Sequence, residues 1–231
     1  MDKEQVKATF DQMAESYDEI WGKLQPFNNA LYLAMNSMLA GLPSNAHILV
    51  VGAGTGTEII ELATYFPKWT FTALDPSDAM MNVCKKKIQA AGLESRCEFR
   101  VGYIEDMAEI NKYDAATALL VSQFMTDQDE RTAFFKHIAR SLKPGGVFIN
   151  TDLSGDVKTQ SYLELLKCWF RVLQGAELTP EMFDILKSAY EHDLGIIAEP
   201  QLIALLQNAG FQQSIRFYQV GLIHGWCSTK A

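Results

Sequence analysis

The stretch H-I-L-V-V-G-A-G-T-G at positions 47–56 joins an apolar run to three glycines at every second position. Branched residues in an unbroken run are typical of a strand buried on both faces. Gly52, Gly54 and Gly56 remove every second side chain, so the backbone can turn sharply and lie against a ligand. Positions 57–66 have helical spacing, so the loop opens a helix whose first amides face that ligand. The stretch therefore predicts a nucleotide-type cradle.

The composition predicts one globular domain. A chain of 231 residues with 48% hydrophobic content can bury one substantial core. The net charge of −8 disfavours a nucleic-acid partner. The four cysteines lie far apart without a C-x-x-C pair, which favours a reduced, cytoplasmic protein without a zinc site or disulfide framework. No run of 18 apolar residues occurs and the N-terminus lacks an apolar signal core, so we expect neither secretion nor a membrane partner.

Two amphipathic helices are predicted within residues 1–43, before the first strand. Apolar residues recur at spacings of three and four over positions 2–20, and a second helix follows Pro26. Tyr17 and Trp21 lie where the first helix ends. We expect either ring to reach over the glycine loop, or both to pack onto the sheet.

An acid follows the second predicted strand, at 69–74. Asp75 comes 19 residues after Gly56, a distance at which an acid accepts hydrogen bonds from ribose hydroxyls. The alternative is that it caps the next helix, which begins at Pro76-Ser77-Asp78. The lysines at 85–87 on that helix indicate a solvated face.

Polar and aromatic residues also follow the third and fourth predicted strands, at 96–101 and 113–121. Glu105 and Asp106 come after the third strand, where they either meet a base ring or cap a short helix. Gln123 and Phe124 end the fourth strand, so they lie beside the glycine loop at the topological switch point where doubly wound sheets bind ligands.

The C-terminal third of the chain contains a helical insertion, between Ser154 and Ala198. Its apolar stripes include Trp169 and Phe170, and Gly175 and Pro180 divide it into two helices. It leaves the carboxyl end of a fifth strand, at 147–152, so we expect either a lid over the ligand site or a helix pair packed at the sheet edge. Two closing strands span 211–229, and His224 in the last one either reaches the site or is a core residue.

The glycine spacing narrows the choice of ligand class. G-x-G-x-G replaces the dinucleotide fingerprint G-x-G-x-x-G, which weakens a nicotinamide-cofactor interpretation, and no P-loop motif occurs. Four segments occur in a fixed order: V-V-G-A-G-T-G at 50–56, L-D-P-S-D-A-M at 74–80, D-A-A-T-A-L-L-V-S at 114–122 and L-K-P-G-G at 142–146, with a lead-in F-D-Q-M-A-E-S-Y-D at 10–18. In these segments the chain resembles the class I S-adenosylmethionine-dependent methyltransferases.

The resemblance implies an α/β fold in a single domain over 1–231, with a seven-stranded, mostly parallel, doubly wound sheet of order 3-2-1-4-5-7-6 whose seventh strand is antiparallel. It also implies S-adenosylmethionine as cofactor, S-adenosylhomocysteine as product, and no metal. Two positions depart from the family pattern, because Val50 and Tyr103 stand where acids are usual. The cofactor-binding residues that the loop and the resemblance together predict are Tyr17, Gly52, Ala53, Gly54, Thr55, Gly56, Asp75, Pro76, Met80, Ile104, Glu105, Leu120 and Val121.

A sulfonium methyl group is already activated, so the protein's main task is in-line positioning, which can supply roughly 7–11 kcal/mol. If the acceptor is a hydroxyl or an ammonium group, a base is required, and the candidates by location are His224, Asp152 and Tyr17. Candidate acceptor contacts suggest a small apolar or aromatic molecule; they are Trp21, Gln123, Phe124, Trp169 and Phe170.

Three other functions stay open at this point. The layout from F-D-Q-M-A through the insertion to A-G-F also resembles the enzymes that make carboxy-S-adenosylmethionine for wobble-uridine modification in tRNA. The second is a methyltransferase acting on tRNA or protein, which the net charge disfavours. The third is a non-catalytic S-adenosylmethionine-binding protein. We expect a small-molecule partner and leave a homodimer open.

Overall fold

A computed structural model describes residues 2–174 and 179–231. Gly175, predicted to separate the two inserted helices, lies outside these residues. The strands are β1 His47–Val51, β2 Thr70–Asp75, β3 Cys97–Val101, β4 Tyr113–Leu119, β5 Leu142–Leu153, β6 Phe211–Val220 and β7 Ile223–Lys230. The helices are α1 Lys3–Met13, α2 Tyr17–Ile20, α3 Gln25–Leu39, α4 Thr57–Tyr65, α5 Asp78–Ala90, α6 Gln128–Ser141, α7 Gln160–Gln174, α8 Pro180–Asp193 and α9 Glu199–Asn208.

The strands form one seven-stranded sheet of order β3-β2-β1-β4-β5-β7-β6. β1 to β5 pair in parallel, and β7 pairs antiparallel with both β5 and β6. The predicted fold class and strand order are therefore confirmed. Because the first five strands run in parallel, their carboxyl ends meet at one edge, where ligands bind in open α/β sheets.

Successive residues of β1 enter different cores. Leu49 and Val51 pack in a cluster with residues of α6 and α9, whereas Ile48 and Val50 pack in a cluster with α3, α4 and α5. All four side chains are buried. The strand reads as a continuous apolar run because helices cover both faces of the sheet.

The L-K-P-G-G segment forms the first five residues of β5, which directly follows α6, and it interrupts the ladder with β4. The register passes from Tyr113↔Leu142 to Ala115↔Val147, so β5 advances five residues while β4 advances two. The extra residues loop out of the ladder, and Gly145 has a φ of +72°. This agrees with the predicted turn, since a left-handed residue is what glycine supplies at low cost.

The N-terminal segment differs from its prediction as one helix over positions 2–20. α1 ends at Met13, a 3-10 turn follows over Ala14–Ser16, and α2 begins at Tyr17. The Ser16 hydroxyl donates to the Met13 carbonyl at 3.3 Å, a local bond of the kind that competes with regular helix. A second 3-10 turn, Gly22–Leu24, leads into α3.

The insertion leaves and returns at one place, because Ser154 forms a parallel bridge with Ile197. Its two predicted helices, α7 and α8, pack on each other: Trp169 Nε1 donates to the Tyr190 hydroxyl at 3.0 Å, and the rings of Phe170 and Tyr190 meet edge to face at 4.9 Å. α7 buries its apolar face in a cluster with Leu24, Leu31 and Leu153. Among the helices described, none is long and apolar enough to cross a membrane.

Candidate functional site

A cavity of about 480 Å³ opens at the carboxyl ends of β1, β2 and β4. Its walls come from the glycine loop after β1, the segment after β2, the segment after β3, the end of β4, helix α6 and the N-terminal helices. The described part of the insertion contributes no lining residue; α1 covers this cavity instead.

The three loop glycines have different roles. All have positive φ, at +71° for Gly52, +52° for Gly54 and +81° for Gly56. A Cβ at Gly52 would overlap Val121, and one at Gly56 would lie 2.7 Å from Cys84 Sγ. A Cβ at Gly54 would meet no atom within 4 Å. Two glycines therefore allow close packing of the protein on itself, and Gly54 keeps the backbone bare toward the cavity.

The loop amides are largely used within the protein. Gly52 N and Ala53 N both donate to the Leu74 carbonyl, at 2.8 and 3.0 Å, and Gly54 N donates to Asp75 Oδ2 at 2.8 Å. At these positions the loop offers a close-fitting surface rather than spare N–H donors.

Asp75 lies at the cavity wall with 7% of its surface exposed. Besides Gly54 N, its carboxylate accepts a hydrogen bond from Ser77 N at 2.9 Å. Burial raises the pKa of Asp75, and the two N–H donors oppose that rise. Each carboxylate oxygen retains a lone pair, so the group can accept two hydroxyl donors such as those of a ribose.

Two aromatic rings from the N-terminal helices line the cavity, Phe10 and Tyr17. Phe10 meets Phe124 edge to face at 5.4 Å. Burial raises the pKa of Tyr17 to about 12, so its phenol stays protonated at neutral pH. Trp21 packs against Tyr17 at 6.2 Å between ring centroids, and its buried indole N–H finds no partner among the described residues.

The sequence left open whether Glu105 and Asp106, the two acids after β3, border the ligand site or cap a short helix. The structure gives them different positions. Asp106 accepts from Tyr103 N at 3.1 Å and caps the short helix Ile104–Asp106. Glu105 borders the cavity and pairs with Lys3 of α1 at 2.5 Å.

Leu120 lines the cavity in a backbone conformation that is unusual for a branched residue, with φ of +57°. Its N–H donates to the Thr151 carbonyl at 2.9 Å and to the Thr151 hydroxyl at 3.0 Å. Strained residues of this kind cluster at functional sites, where the surrounding structure holds them in place.

Eleven of the predicted site residues line the cavity: Tyr17, Gly52, Gly54, Asp75, Pro76, Met80, Ile104, Glu105, Leu120, Val121 and Phe124. Nine others do not: Ala53, Thr55 and Gly56 in the glycine loop, and Trp21, Gln123, Asp152, Trp169, Phe170 and His224.

Asp152, one of the candidate bases, is fully buried in a polar network. Its carboxylate accepts from Ser122 Oγ at 2.7 Å and Asn150 Nδ2 at 2.6 Å, and it lies 2.9 Å from the guanidinium of Arg131. Arg131 also donates to the Gly195 carbonyl at 2.6 Å. The network ties the end of β4 and the return of the insertion to β5.

Gln123 and His224, two further predicted site residues, also lie outside the cavity lining. Gln123 Oε1 accepts a hydrogen bond from Leu153 N at 2.7 Å, so the side-chain amide joins the segment after β4 to the end of β5. His224 is buried on β7 beside Trp226, and burial lowers its pKa. Neither has a position from which the geometry gives it a role in the chemistry.

Several lining residues that the sequence did not indicate come from α1 and α6. Phe10 carried a usable signal, because it precedes Tyr17 by seven residues, or two helical turns. Phe134 and His137 of α6 carried none, since their approach to the cavity depends on how α6 packs against the segment after β3.

The cavity suits a nucleoside-bearing cofactor. Asp75 offers a sugar-binding carboxylate, Gly54 a bare backbone, and Met80, Ile104 and Val121 an apolar slot for a base. Within residues 2–174 and 179–231, no group of three or more His, Cys, Asp or Glu has the arrangement of a metal site.

Comparisons with known proteins agree with this geometry. A family model described as a methyltransferase domain matches residues 48–146. The chain is 30% identical over 122 residues to sterol 4-C-methyltransferase strm-1 of Caenorhabditis elegans, and 28% identical over 151 residues to carboxy-S-adenosyl-L-methionine synthase of Campylobacter curvus. These matches cover 52% and 64% of this chain, and 34% and 63% of those relatives. The chain therefore spans between a third and two thirds of the length of these relatives.

Among solved structures, the [4+2]-cyclase SpnF superposes with a TM-score of 0.74 at 15% identity, covering 98% of this chain and 95% of that one. This likeness concerns the fold. The sheet order, the glycine loop and the acid after β2 define the class I methyltransferase architecture. The methyltransferase-domain match over residues 48–146, the methyltransferase relatives and the sheet order together support a class I S-adenosylmethionine-dependent methyltransferase, a class whose cofactor is S-adenosylmethionine.

Proposed function

We propose that the protein transfers a methyl group from S-adenosylmethionine to a small, mainly apolar acceptor. The observation that carries the acceptor class is the cavity wall near the glycine loop, formed by Tyr17, Leu119, Leu120 and Phe124. The lysines that line the cavity lie on α1, and both are paired: Lys3 with Glu105 and Glu130, Lys7 with Asp11. A wall of this composition favours an apolar molecule over a highly charged one.

The chain's own residues would act by positioning. Asp75 would hold the ribose hydroxyls, and the apolar slot would hold the base. When bound, the cofactor supplies an activated methyl group on a sulfonium. Tyr17, Phe10 and Phe124 would exclude water and align the acceptor, the contribution that orientation makes to transfer reactions.

In this reaction no residue of the protein would remove a proton from the acceptor. Tyr17 is protonated at neutral pH because burial raises its pKa to about 12, and Asp152 and His224 lie outside the cavity lining. We therefore favour acceptors that present an ionised or lone-pair nucleophile themselves. The dispersed cysteines support a cytoplasmic location for this activity.

The test is transfer of a labelled methyl group from S-adenosylmethionine across a panel of acceptors matched in size but differing in charge. We expect turnover with apolar members that carry one nucleophilic group. Turnover confined to highly charged members would contradict the acceptor class, and absence of turnover with the whole panel would favour a non-catalytic binding protein.

A second candidate is synthesis of carboxy-S-adenosylmethionine, which the similarity to the Campylobacter curvus enzyme favours. Mass spectrometry of the ligand that copurifies with the protein separates the two. A carboxylated cofactor would support the second candidate, and unmodified S-adenosylmethionine or S-adenosylhomocysteine the first.

A further inference from the structure

The segment F-D-Q-M-A-E-S-Y-D at 10–18 contains two aromatic–acid pairs, Phe10-Asp11 and Tyr17-Asp18. Both rings line the cavity. Neither acid does; each carboxylate instead reaches a loop that frames the cavity. The segment therefore presents rings inward and carboxylates to the protein.

Asp11 holds the segment after β2. Its Oδ1 accepts a hydrogen bond from Ser77 Oγ at 2.6 Å and lies 3.3 Å from the Ala79 N–H, at the start of α5. Lys7 pairs with its other oxygen at 2.9 Å. The Ser77 and Lys7 donors hold the pKa of Asp11 below its usual range, so these bonds are made to an ionised group.

Asp18 holds the glycine loop. Its Oδ1 accepts from Thr55 Oγ1 at 2.7 Å, and its Oδ2 pairs with Lys87 at 2.5 Å. Lys87 also donates to Thr57 Oγ1 at 2.7 Å. The sequence predicted a solvated lysine face here, but Lys87 joins α5, the glycine loop and α2.

Both contacts adjoin the hydrogen bonds of Asp75. Asp75 accepts from Gly54 N and Ser77 N, while Thr55, the residue after Gly54, and the hydroxyl of Ser77 itself bind the two N-terminal acids. The predicted ribose acid and the cover of the cavity are thus parts of one hydrogen-bonded unit.

We propose that Asp11 and Asp18 are positioning residues that latch α1 and α2 over the bound cofactor, so that cofactor exchange requires both contacts to open. This rests on the proposed cofactor site. α1 and its N-cap Asp2 supply Asp2, Lys3, Val6, Lys7 and Phe10 to the cavity lining, so displacement of this helix would widen the cavity for a ligand of nucleoside size. The latches set the barrier to that motion.

The experiment measures the association and dissociation rates of S-adenosylhomocysteine by stopped-flow fluorescence in the 231-residue chain. We expect Asp11→Ala and Asp18→Ala each to raise the dissociation rate about tenfold or more, as loss of a charge-assisted hydrogen bond predicts. The association rate should rise as well, because opening the cover limits entry. A role confined to packing would raise dissociation alone.

Glu15→Ala is the matched control. Glu15 lies in the same segment and pairs with Lys86 at 3.1 Å, but both side chains are largely exposed and neither touches a cofactor loop. Its rates should stay within about twofold of the wild type, since exposed pairs contribute little. If either Asp variant fails to fold, Lys87→Met loosens the Asp18 latch from the α5 side, and the same rise in both rates is expected.

The experiment distinguishes failure of the proposed cofactor site from failure of the latch. Wild-type protein that does not bind S-adenosylhomocysteine would overturn the proposed cofactor site and the latch with it. Wild-type protein that binds, with Asp11→Ala and Asp18→Ala matching Glu15→Ala in both rates, would overturn the latch alone.

Discussion

The carboxylate of Asp75 lies 2.8 Å from the backbone nitrogen of Gly54, although 21 residues separate them in the sequence. The bond joins the end of β2 to the turn after β1, whose strands pair in register from His47↔Thr70 to Val51↔Leu74. Because the strands are held in register, the loop and the acid form one preorganised wall of the cavity.

Gly54→Ala tests whether the cavity needs a bare backbone. A Cβ in left-handed backbone costs roughly 1–2 kcal/mol of unfolding free energy, and we expect that loss in urea denaturation. Gly92→Ala is the control, because Gly92 also has positive φ and open space around the added Cβ but lies outside the cavity lining. Only Gly54→Ala should also weaken S-adenosylmethionine binding. Equal affinities in the two variants would show that Gly54 does not approach the ligand.

Tyr17→Phe separates positioning from proton transfer. A phenol whose pKa burial raises to about 12 takes no proton at neutral pH. We expect the variant to lose less than about tenfold in kcat with an unaltered pH profile, whereas loss of a general base costs about 10²–10⁴-fold. Tyr17→Ala should lose more, because it opens the cavity wall. A loss of the larger size in the Phe variant would restore Tyr17 as the base.

Arg131 and Asp152 are predicted to act on stability. Removing either partner leaves the other charge buried, which costs about 3–5 kcal/mol of unfolding free energy. In a double-mutant cycle by urea denaturation, Arg131→Met with Asp152→Asn should therefore cost less than the sum of the single variants. If Asp152→Asn abolished transfer at undiminished stability, Asp152 would be catalytic after all.

The sequence predicted most of what is local and less of what depends on packing. Asp75 was identifiable because its spacing from the glycines is fixed by one strand, one turn and one helix. Asp11 and Asp18 were not, because their partners Ser77 and Thr55 lie 66 and 37 residues away and no periodicity connects them. His224 was assigned to a strand face, but which helices cover that face depends on α9, which the strand pattern does not encode.

Glu58 gives a pH-dependent prediction. It is buried in the first turn of α4, one carboxyl oxygen has no hydrogen-bond partner in the described chain, and burial raises its pKa from 4.5 to about 7. The Thr117 hydroxyl opposes the rise. The unfolded chain ionises first as pH increases, so the contribution of Glu58 to folding stability falls between pH 4.5 and about 7 and does not change above that range.

As the pH rises across that interval, the free energy of unfolding of Glu58→Gln should therefore increase by about 3 kcal/mol relative to that of the wild type. The measurement is urea denaturation at a series of pH values, with Glu61→Gln on the same helix as control. A difference between Glu58→Gln and wild type that does not change with pH would contradict the buried, protonated carboxyl.

Calorimetric titration of the wild type and of Asp75→Ala tests directly whether this cavity binds S-adenosylmethionine through Asp75. Asp114→Ala is the matched control. Asp114 accepts a hydrogen bond from His47 N at 2.9 Å and so joins β4 to β1 at the amino ends of these strands, away from the cavity. We predict one site per chain, weakened by about 1–3 kcal/mol in Asp75→Ala and unchanged in Asp114→Ala. Equal affinities in the wild type and Asp75→Ala, or no binding by the wild type, would contradict the account.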